Sequence, residues 1–163
     1  MTTGTGLSWM CRRWRGRGAL VLALLTVMPI ALASPAHAGW SRAQFWEHSF
    51  SGDKLDKDAP GSEADLSHLG RDCYVFWCEN NWDNVISSLS TTGGGQLPAW
   101  LEIFEDPNFT GHCVLIASYQ TLADLHTYTF NLPAGQNWGD RISSFRVSES
   151  RPASRCLVWP PGS

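Results

Sequence analysis

Oxygen-bearing side chains recur in two short segments of this 163-residue chain, Asn81–Ser88 (NWDNVISS) and Asn137–Ser144 (NWGDRISS). The residues that place these oxygen atoms beside the start of a predicted strand are Asp83, Asn84 and Ser87 in the first segment and Asp140 and Ser143 in the second. Calcium takes six to eight oxygen ligands from carboxylates, amides, carbonyls and hydroxyls. The same residue types also cap turns, so the pattern alone leaves turn capping and calcium binding both open.

The two segments belong to a longer internal repeat. Phe45–Gly52 (FWEHSFSG) aligns with Phe104–Gly111 (FEDPNFTG), and the ADL triplet that starts at Ala64 recurs at Ala123. Three islands in the same order indicate a duplicated unit. In each F-x-x-x-x-F-x-G island, we expect the two aromatics to clamp a hairpin and the glycine to occupy a position that a β-carbon would block. The units have boundaries near 40–92 and 98–149.

The periodicity within the units is that of β-strands. In the second unit, residues 100–104 and 128–132 alternate, residues 113–116 are apolar throughout, and residues 142–147 supply a fourth strand. This pattern predicts four short strands per unit. The intervening segments are expected to be a helical turn (122–125), a flexible linker (92–96), an exposed loop (53–63) and a Pro-rich tail (151–163) that Cys156 could hold.

The N-terminus has the organisation of a secretory signal peptide. Four arginines between positions 12 and 17 precede an apolar run at 19–33, and small residues follow at 36 and 38. A run of about fifteen residues is short for a membrane span, which needs roughly twenty, although an uncleaved anchor is the alternative. We therefore expect residues 1–38 to be removed and the rest to be secreted, without membrane association.

The distribution of charge argues against a nucleic-acid partner. The chain has twelve basic and fifteen acidic side chains, and four of the basic ones lie within the first 38 residues. The remaining chain therefore has eight basic and fifteen acidic residues, a net charge of −7. Contacts to phosphates need clustered Lys and Arg, which this part of the chain lacks.

Four cysteines remain after the signal segment: Cys73, Cys78, Cys113 and Cys156. An even number in an exported chain predicts two disulfides, with three possible pairings. The residues between Cys73 and Cys78 have the pattern of a strand, and an extended chain would separate these cysteines by about 16 Å. We therefore expect both to pair with Cys113 and Cys156, in an order that stays open. A four-Cys zinc site is the alternative, but paired C-x₂₋₄-C spacing is missing.

The two motifs together resemble the βγ-crystallin superfamily, in which an aromatic-x₄-aromatic-x-Gly hairpin precedes a [ND]-[ND]-x-x-[ST]-S segment. Both motifs occur twice in this order and cover most of residues 45–147. Two such motifs make one domain in that family. The resemblance therefore implies an all-β, βγ-crystallin-like sandwich of two Greek-key motifs over residues 39–150, and we expect a monomer.

The resemblance also implies calcium, because microbial members of the superfamily commonly bind two calcium ions in paired clamps between the motifs. The implied ligands are the side chains of Asp83 or Asn84 and Ser87 with the carbonyl of Val85, and the side chains of Asp140 and Ser143 with the carbonyl of Arg141. Gly139 replaces an acidic or amide residue in the second copy, and Arg141 adds a positive charge. The second of the two sites is therefore expected to be weakened.

Two alternative functions follow from further resemblances. The repeats are similar to those of the Streptomyces-type peptidase inhibitor family, which would make a secreted metalloprotease the partner and residues 53–63 the candidate reactive loop. Killer-toxin-like secreted proteins share the fold as well.

An enzyme is disfavoured. The sequence has no G-x-S-x-G, H-E-x-x-H or phosphate-binding glycine motif. The four histidines after the signal segment are isolated in sequence: His48, His68, His112 and His126.

Trp82 and Trp138 occupy equivalent positions and are expected in the core, whereas Trp40 and Trp159 lie outside the repeats and could form a glycan-binding surface.

Overall fold

The computed structural model describes residues 40–73, 76–92 and 97–163, which all lie within one folded body that contains both repeat units, His37–Ser163. The predicted signal segment 1–38 and most of the predicted linker lie outside the described residues. The strands are β1 (Ser41–Trp46), β2 (Lys54–Asp58), β3 (Gly61–Glu63), β4 (Gly70–Cys73), β5 (Cys78–Asn81), β6 (Ser88–Ser90), β7 (Leu97–Pro98), β8 (Trp100–Asp106), β9 (Thr110–Ile116), β10 (Thr121–Leu122), β11 (Ser144–Ser148) and β12 (Leu157–Trp159). Over the described ranges, we find no helix with the length and apolar character to cross a membrane.

The strands form two larger sheets and one small one. The first sheet has the order β10-β6-β1-β2, with β7 also pairing with β1. The second has the order β12-β9-β8-β11-β3, and β4 and β5 form a separate hairpin. The pairings of β1 with β7 and of β9 with β12 are parallel, and the other described pairings are antiparallel.

The two units exchange a strand. In the first sheet, β10 of the second unit pairs with β6, so that Thr121 lies opposite Ser90. In the second sheet, β3 of the first unit pairs with β11, so that Glu63 lies opposite Phe145. This reciprocal exchange confirms the predicted all-β sandwich of two Greek-key motifs.

The core lies between the two sheets. Phe45 of β1 packs on Phe145 of β11, with 4.5 Å between the ring centroids, so one ring comes from each sheet. Trp82 and Trp138 are 4% and 2% exposed, and they join this core as predicted. Burial of such large apolar side chains is the main favourable contribution to the stability of a sandwich.

Cys73 and Cys78 lie side by side at one end of a hairpin and not at the two ends of one strand. The strands β4 and β5 pair antiparallel with Cys73 opposite Cys78, and their Cα atoms are 3.9 Å apart. These two cysteines form one disulfide, and Cys113 and Cys156 form the other. The predicted pairing is therefore wrong, because it assumed an extended chain where a hairpin folds the two cysteines together.

The strand predicted at 128–132 is also absent from the structure. Leu132 N donates to the Thr129 carbonyl, and Trp138 Nε1 donates to the Phe130 carbonyl, both in irregular chain. The alternating apolar side chains of this segment pack partly buried on the core, which explains the misleading pattern. The third strand of the unit is instead β10, and the helical turn that we predicted at 122–125 lies at Leu125–Thr127.

The exposed loop predicted at 53–63 consists of strands β2 and β3. The strand β2 (KLDKD) pairs along β1 at the edge of the first sheet, and β3 crosses to the second. The charged residues of β2 concealed its strand pattern, although charges on edge strands are common because they prevent unwanted pairing. The tail contains β12, which pairs with β9, and the Cys113–Cys156 disulfide holds it as predicted.

Candidate metal site

The two oxygen-rich segments face each other across a local two-fold relationship. Asn84 and Asp140 occupy equivalent positions and have left-handed backbones, with φ of 55° and 52°. Asn and Asp adopt this conformation more readily than most residues. Asn84 N donates to the Ile142 carbonyl at 3.2 Å, and Asp140 N donates to the Ile86 carbonyl at 3.1 Å. The backbone of each segment is therefore fixed by the other.

The side chains cross between the units in the same way. Ser87 Oγ donates to Asp140 Oδ1 at 2.9 Å. Ser143 Oγ donates to Asn84 Oδ1 at 3.4 Å. We name these groups the Asp140 clamp (Asp140 and Ser87) and the Asn84 clamp (Asn84 and Ser143). Each clamp takes one residue from each segment, so the structure does not group the predicted ligands segment by segment.

The hairpins that follow β1 and β8 flank the clamps. Ser88 Oγ accepts from Phe50 N at 3.0 Å, and Ser144 Oγ accepts from Phe109 N at 3.1 Å, which ties each hairpin to the strand after its clamp segment. Equivalent glycines, Gly52 and Gly111, follow with φ of 75° and 71°. The expectation that these glycines occupy special backbone positions is confirmed.

The predicted contact between the two aromatics of an F-x-x-x-x-F-x-G island is found in the second hairpin and not in the first. Phe104 packs on Phe109 edge to face at 5.6 Å between centroids. In the first hairpin, however, Phe50 packs on Trp46 at 4.9 Å, while Phe45 lies in the core. The first hairpin loop is one residue shorter, because the equivalent carbonyls that accept from Ser88 Oγ and Ser144 Oγ belong to His48, two positions before Phe50, and to Asp106, three positions before Phe109. The sequence alignment of Phe45 with Phe104 is therefore off by one position at this point.

The Asp140 clamp opens onto a surface cavity of about 140 Å³. The residues that line it are Glu47, His48, Asn84, Val85, Ser87 and Asp140. Glu47 Oε1 lies 2.5 Å from Arg71 Nη1. This hydrogen-bonded ion pair lowers the pKa of Glu47 below its ordinary value of 4.5, so the carboxylate is charged at neutral pH.

The Asn84 clamp has an unsatisfied carboxylate oxygen beside it. Asp83 Oδ2 accepts from Asn84 Nδ2 at 2.9 Å. Asp83 Oδ1 is buried and has no hydrogen-bond donor among the described residues. A buried carboxylate oxygen without a partner is costly, and a bound cation would satisfy it.

The positive charge of Arg141 is compensated next to the clamps. Arg141 Nη1 lies 2.5 Å from Glu105 Oε1, and Arg141 Nε donates to the Asn137 carbonyl at 3.1 Å. Glu105 Oε2 also lies 2.7 Å from His112 Nδ1. The hydrogen bonds with His112 and Arg141 lower the pKa of Glu105 below 4.5. From the sequence, the positive charge of Arg141 was expected to weaken calcium binding. In the structure, this charge is paired with the carboxylate of Glu105.

Gly139 makes room for a histidine, His126, that lies outside both oxygen-rich segments in sequence. A β-carbon at Gly139 would overlap the imidazole ring of His126. The Nε2 atom of this ring lies 3.7 Å from Asp140 Oδ2. The repeat contained a signal for this arrangement, because His126 follows the second ADL triplet where Ser67 follows the first.

Each of the four described histidines has a carboxylate neighbour despite its isolation in sequence. The other short contacts are His112 with Glu105 at 2.7 Å and His68 with Asp65 at 3.3 Å. Within the ranges that the structure covers, however, no three His, Cys, Asp or Glu side chains converge as a metal site would require. A cation at the clamps would therefore depend on hydroxyl, amide and carbonyl oxygens as well.

No protein-family model and no curated protein matches the sequence. Several solved structures are similar to the chain, three of which follow. One, reported under the words "Evolution of the eye lens beta-gamma-crystallin domain fold", is 23% identical over 69% of this chain and 90% of its own, with a TM-score of 0.48. A βγ-crystallin from Ciona intestinalis is 19% identical over 64% of this chain and 96% of its own, with a TM-score of 0.40.

The third, Protein S complexed with calcium, is 21% identical over 67% of this chain and 49% of its own, with a TM-score of 0.41. The reciprocal exchange of β3 and β10, seen in the pairings of this chain itself, makes its fold a βγ-crystallin-like sandwich of two Greek-key motifs.

Proposed function

We propose that this protein is a secreted, non-enzymatic βγ-crystallin-type domain that calcium stabilises through the Asp140 and Asn84 clamps. The observation that carries the proposal is the reciprocal pairing of Ser87 with Asp140 and of Ser143 with Asn84. It gathers oxygen donors from both units at two equivalent places. Such mixtures of carboxylate, amide and hydroxyl oxygens are what calcium prefers.

The buried Asp83 Oδ1 supports the proposal independently, because this carboxylate oxygen next to the Asn84 clamp has no hydrogen-bond donor among the described residues. The backbone carbonyls of Val85 and Arg141 are the further ligands expected at the two clamps. Secretion is consistent with the two disulfides, which persist in oxidising compartments.

Calcium would act as a structural cross-link between the units. A ligand that binds only the folded state raises the free energy of unfolding by mass action. Because each clamp contains one residue from each unit, neither clamp can form in a chain in which one of the units is unfolded. The clamps contain few carboxylates, and we expect dissociation constants of about 10⁻⁴–10⁻³ M, as in extracellular calcium modules.

The test is a calorimetric calcium titration of the oxidised chain after treatment with a chelator, combined with thermal unfolding. We expect two binding events and a rise in the unfolding midpoint at millimolar calcium. Magnesium at the same concentration is the control, because its demand for near-ideal octahedral geometry disfavours these clamps. The absence of both binding heat and a shift of the midpoint would exclude the proposal.

A second function, inhibition of a secreted metalloprotease, is favoured by a different observation. The hairpin of β4 and β5 is closed by the Cys73–Cys78 disulfide and presents two aromatic side chains, Phe76 and Trp77, which are 87% and 60% exposed. Exposed aromatic residues on a covalently closed loop are suited to the apolar pocket of a peptidase, because little conformational entropy remains to be lost on binding. This hairpin replaces residues 53–63 as the candidate reactive loop.

Inhibition is tested with a panel of secreted thermolysin-like metalloproteases at micromolar inhibitor. The variant F76A should weaken inhibition at least about tenfold, the effect of losing an aromatic hot spot. The matched control is Y119A, since Tyr119 is also an exposed aromatic residue, at 73%, but lies outside the hairpin. Equal inhibition by wild type and F76A, or no inhibition of any peptidase, would remove this second function.

A further inference from the structure

We propose that Arg146 and Arg155 bind the sulfate or carboxylate groups of an anionic polysaccharide on the face of the second sheet that points away from the core. We name these two residues the arginine pair. Their guanidinium groups lie beside one ring, because the two Cζ atoms are 5.5 and 5.9 Å from the centroid of Phe104. The inference goes beyond the proposed calcium function and does not depend on it, since the pair contains no clamp residue.

The alternation of β11 places Arg146 on this outer face. Its neighbours Phe145 and Val147 are buried in the core between the sheets, whereas 46% of the Arg146 side chain is exposed. The Cζ atom of Arg146 also lies 3.9 Å from the ring centroid of Phe109. A guanidinium that stacks on an aromatic ring is held in a defined orientation, and its N–H groups stay available at the edge of its plane.

Arg155 reaches the same place from the C-terminal tail. The next residue, Cys156, is bonded to Cys113 of β9, which anchors this part of the tail on the sheet. Arg155 Nη2 donates to the carbonyls of Phe109 at 3.1 Å and of Gly111 at 3.4 Å. A guanidinium has five N–H donors, so these two bonds position the group and leave donors for a ligand.

The arginine pair has no close carboxylate partner, although fifteen acidic and only eight basic residues follow the signal segment. Arg146 Nη1 lies 3.9 Å from Glu102 Oε2, and among the described residues no side-chain carboxylate lies within 4.0 Å of Arg155. Glu102 is itself buried, and its other oxygen accepts from Ser154 Oγ. Two neighbouring positive charges therefore remain without close compensation, which an anionic ligand would supply.

The other basic side chains provide the contrast. Five of them have a nitrogen within 3.1 Å of a carboxylate oxygen: Arg42, Lys54, Lys57, Arg71 and Arg141. Cationic side chains also cover apolar rings with their stems, and such packing explains why the pair lies over aromatics. It does not explain why carboxylates pair with these five and leave the arginine pair aside.

A polymer with repeated charges fits this surface better than a peptide segment. The strand β8 is paired with β9 and β11 on its two sides, so its backbone cannot accept an added strand. Arg151 extends the surface, because its Cζ atom lies 5.6 Å from the ring centroid of Trp100. Trp100 precedes Phe104 by four residues of β8, or about 13 Å. A linear polysaccharide with charged groups on successive units can contact both places, and guanidinium groups bind such oxyanions bidentately.

The test is binding of the oxidised full chain to immobilised dextran sulfate and, separately, to polygalacturonate, with uncharged dextran as the blank. A chelator is present, so that calcium cannot bridge the acidic protein to the polymer. We expect binding to at least one polymer that weakens as sodium chloride is added, because salt screens exposed charges.

The double variant R146Q/R155Q should weaken this binding at least about tenfold, because it removes both charge-assisted contacts. The matched control is R42Q/K57Q, which removes the same charge from two residues that are ion-paired with Asp58 and Glu63. The control should bind nearly as the wild type does. Equal weakening by the two double variants, or binding to neither polymer, would overturn the proposal.

A second measurement uses the wild type alone and so avoids dependence on the folding of a variant. Oligomers of the bound polymer should shift the NMR signals of the Nε–H groups of Arg146 and Arg155 and leave that of Arg42 unchanged. Tighter binding to poly-glutamate than to either polysaccharide would overturn the proposal in favour of an acidic protein segment. A chain that binds a polysaccharide in chelator and shows no calcium heat would retain this inference and exclude the proposed calcium function.

Discussion

Ser87 of the first unit donates its hydroxyl hydrogen to Asp140 of the second unit across 2.9 Å. The two residues are 53 positions apart in the chain. Neither clamp is therefore complete within one unit, and each depends on the docking of both. Ion binding at the clamps should consequently be coupled to the stability of the whole sandwich.

The first prediction concerns the number of calcium ions. Replacing Asp140 with Asn removes the carboxylate of the Asp140 clamp but keeps its size and its tolerance of the left-handed backbone. We expect D140N to lower calcium affinity at this clamp at least about tenfold, because ligand charge tunes calcium affinity. Calorimetry should then show one binding event in place of two.

The matched change at the other clamp is N84D, which adds a carboxylate at the equivalent position. We expect N84D to strengthen the remaining site by the same argument. If D140N and N84D shift calcium affinity in the same direction, the clamps are not calcium sites of the kind that we propose.

The second prediction concerns the acid side of the stability profile. Folding lowers the pKa of Glu105 through its hydrogen bonds with His112 and Arg141. A carboxylate with a lowered pKa stabilises the fold above its unfolded value of about 4.5, and this contribution is lost as the pH falls through the lowered pKa. The variant E105Q should therefore cost about 1 kcal/mol at pH 7, less than a fully buried pair because the partners are partly exposed.

The measurement is urea unfolding of wild type and E105Q between pH 7 and pH 2.5. The difference between the two should shrink as the pH falls below 4.5. The control is E79Q, because Glu79 is exposed on β5. A difference for E105Q that stays constant down to pH 2.5 would contradict the linkage.

The third prediction compares the two disulfides. Cys113–Cys156 closes a separation of 43 residues, and Cys73–Cys78 closes one of 5. In the chain-entropy description, these loops correspond to about 4 and about 2 kcal/mol. The double variant C113S/C156S should therefore unfold at lower denaturant than C73S/C78S.

The same two variants separate stability from function. The variant C73S/C78S should lose peptidase inhibition, if inhibition exists, while most of its stability remains. Equal unfolding midpoints for the two variants would show that loop closure does not account for their effects.

The fourth prediction concerns the hairpin glycines. Gly111 has a φ of 71°, and a β-carbon there would lie 2.5 Å from Asp106 Oδ2. We expect G111A to lower the free energy of unfolding by about 1–3 kcal/mol through backbone strain and crowding. Gly135 also has a positive φ, of 84°, but no atom lies within 4 Å of its β-carbon position. The control variant G135A isolates the cost of the backbone conformation, so G111A should be the more destabilising of the two in thermal unfolding.

The parts of the fold predicted from the sequence are those that the repeat itself encodes. The two hairpin glycines, the buried pair Trp82 and Trp138, and the strands β8, β9 and β11 all follow from local pattern and from equivalent positions. The strand predicted at 128–132 failed, because apolar side chains that alternate in irregular chain produce the same pattern as a strand. The strand β2 was not predicted, because its sequence KLDKD is mostly charged and lacks the apolar residues that indicate a strand.

The sequence by itself determined that this chain is a duplicated β-unit with oxygen-rich segments and four cysteines after its predicted signal segment. Repetition, spacing and residue type are properties of the chain order. Only the tertiary structure decided that Cys73 pairs with Cys78, that Ser87 meets Asp140, and that His126 covers Gly139. These contacts depend on where the chain reverses and on how the two units dock, and such long-range choices are set by packing over the whole domain and not by any local pattern.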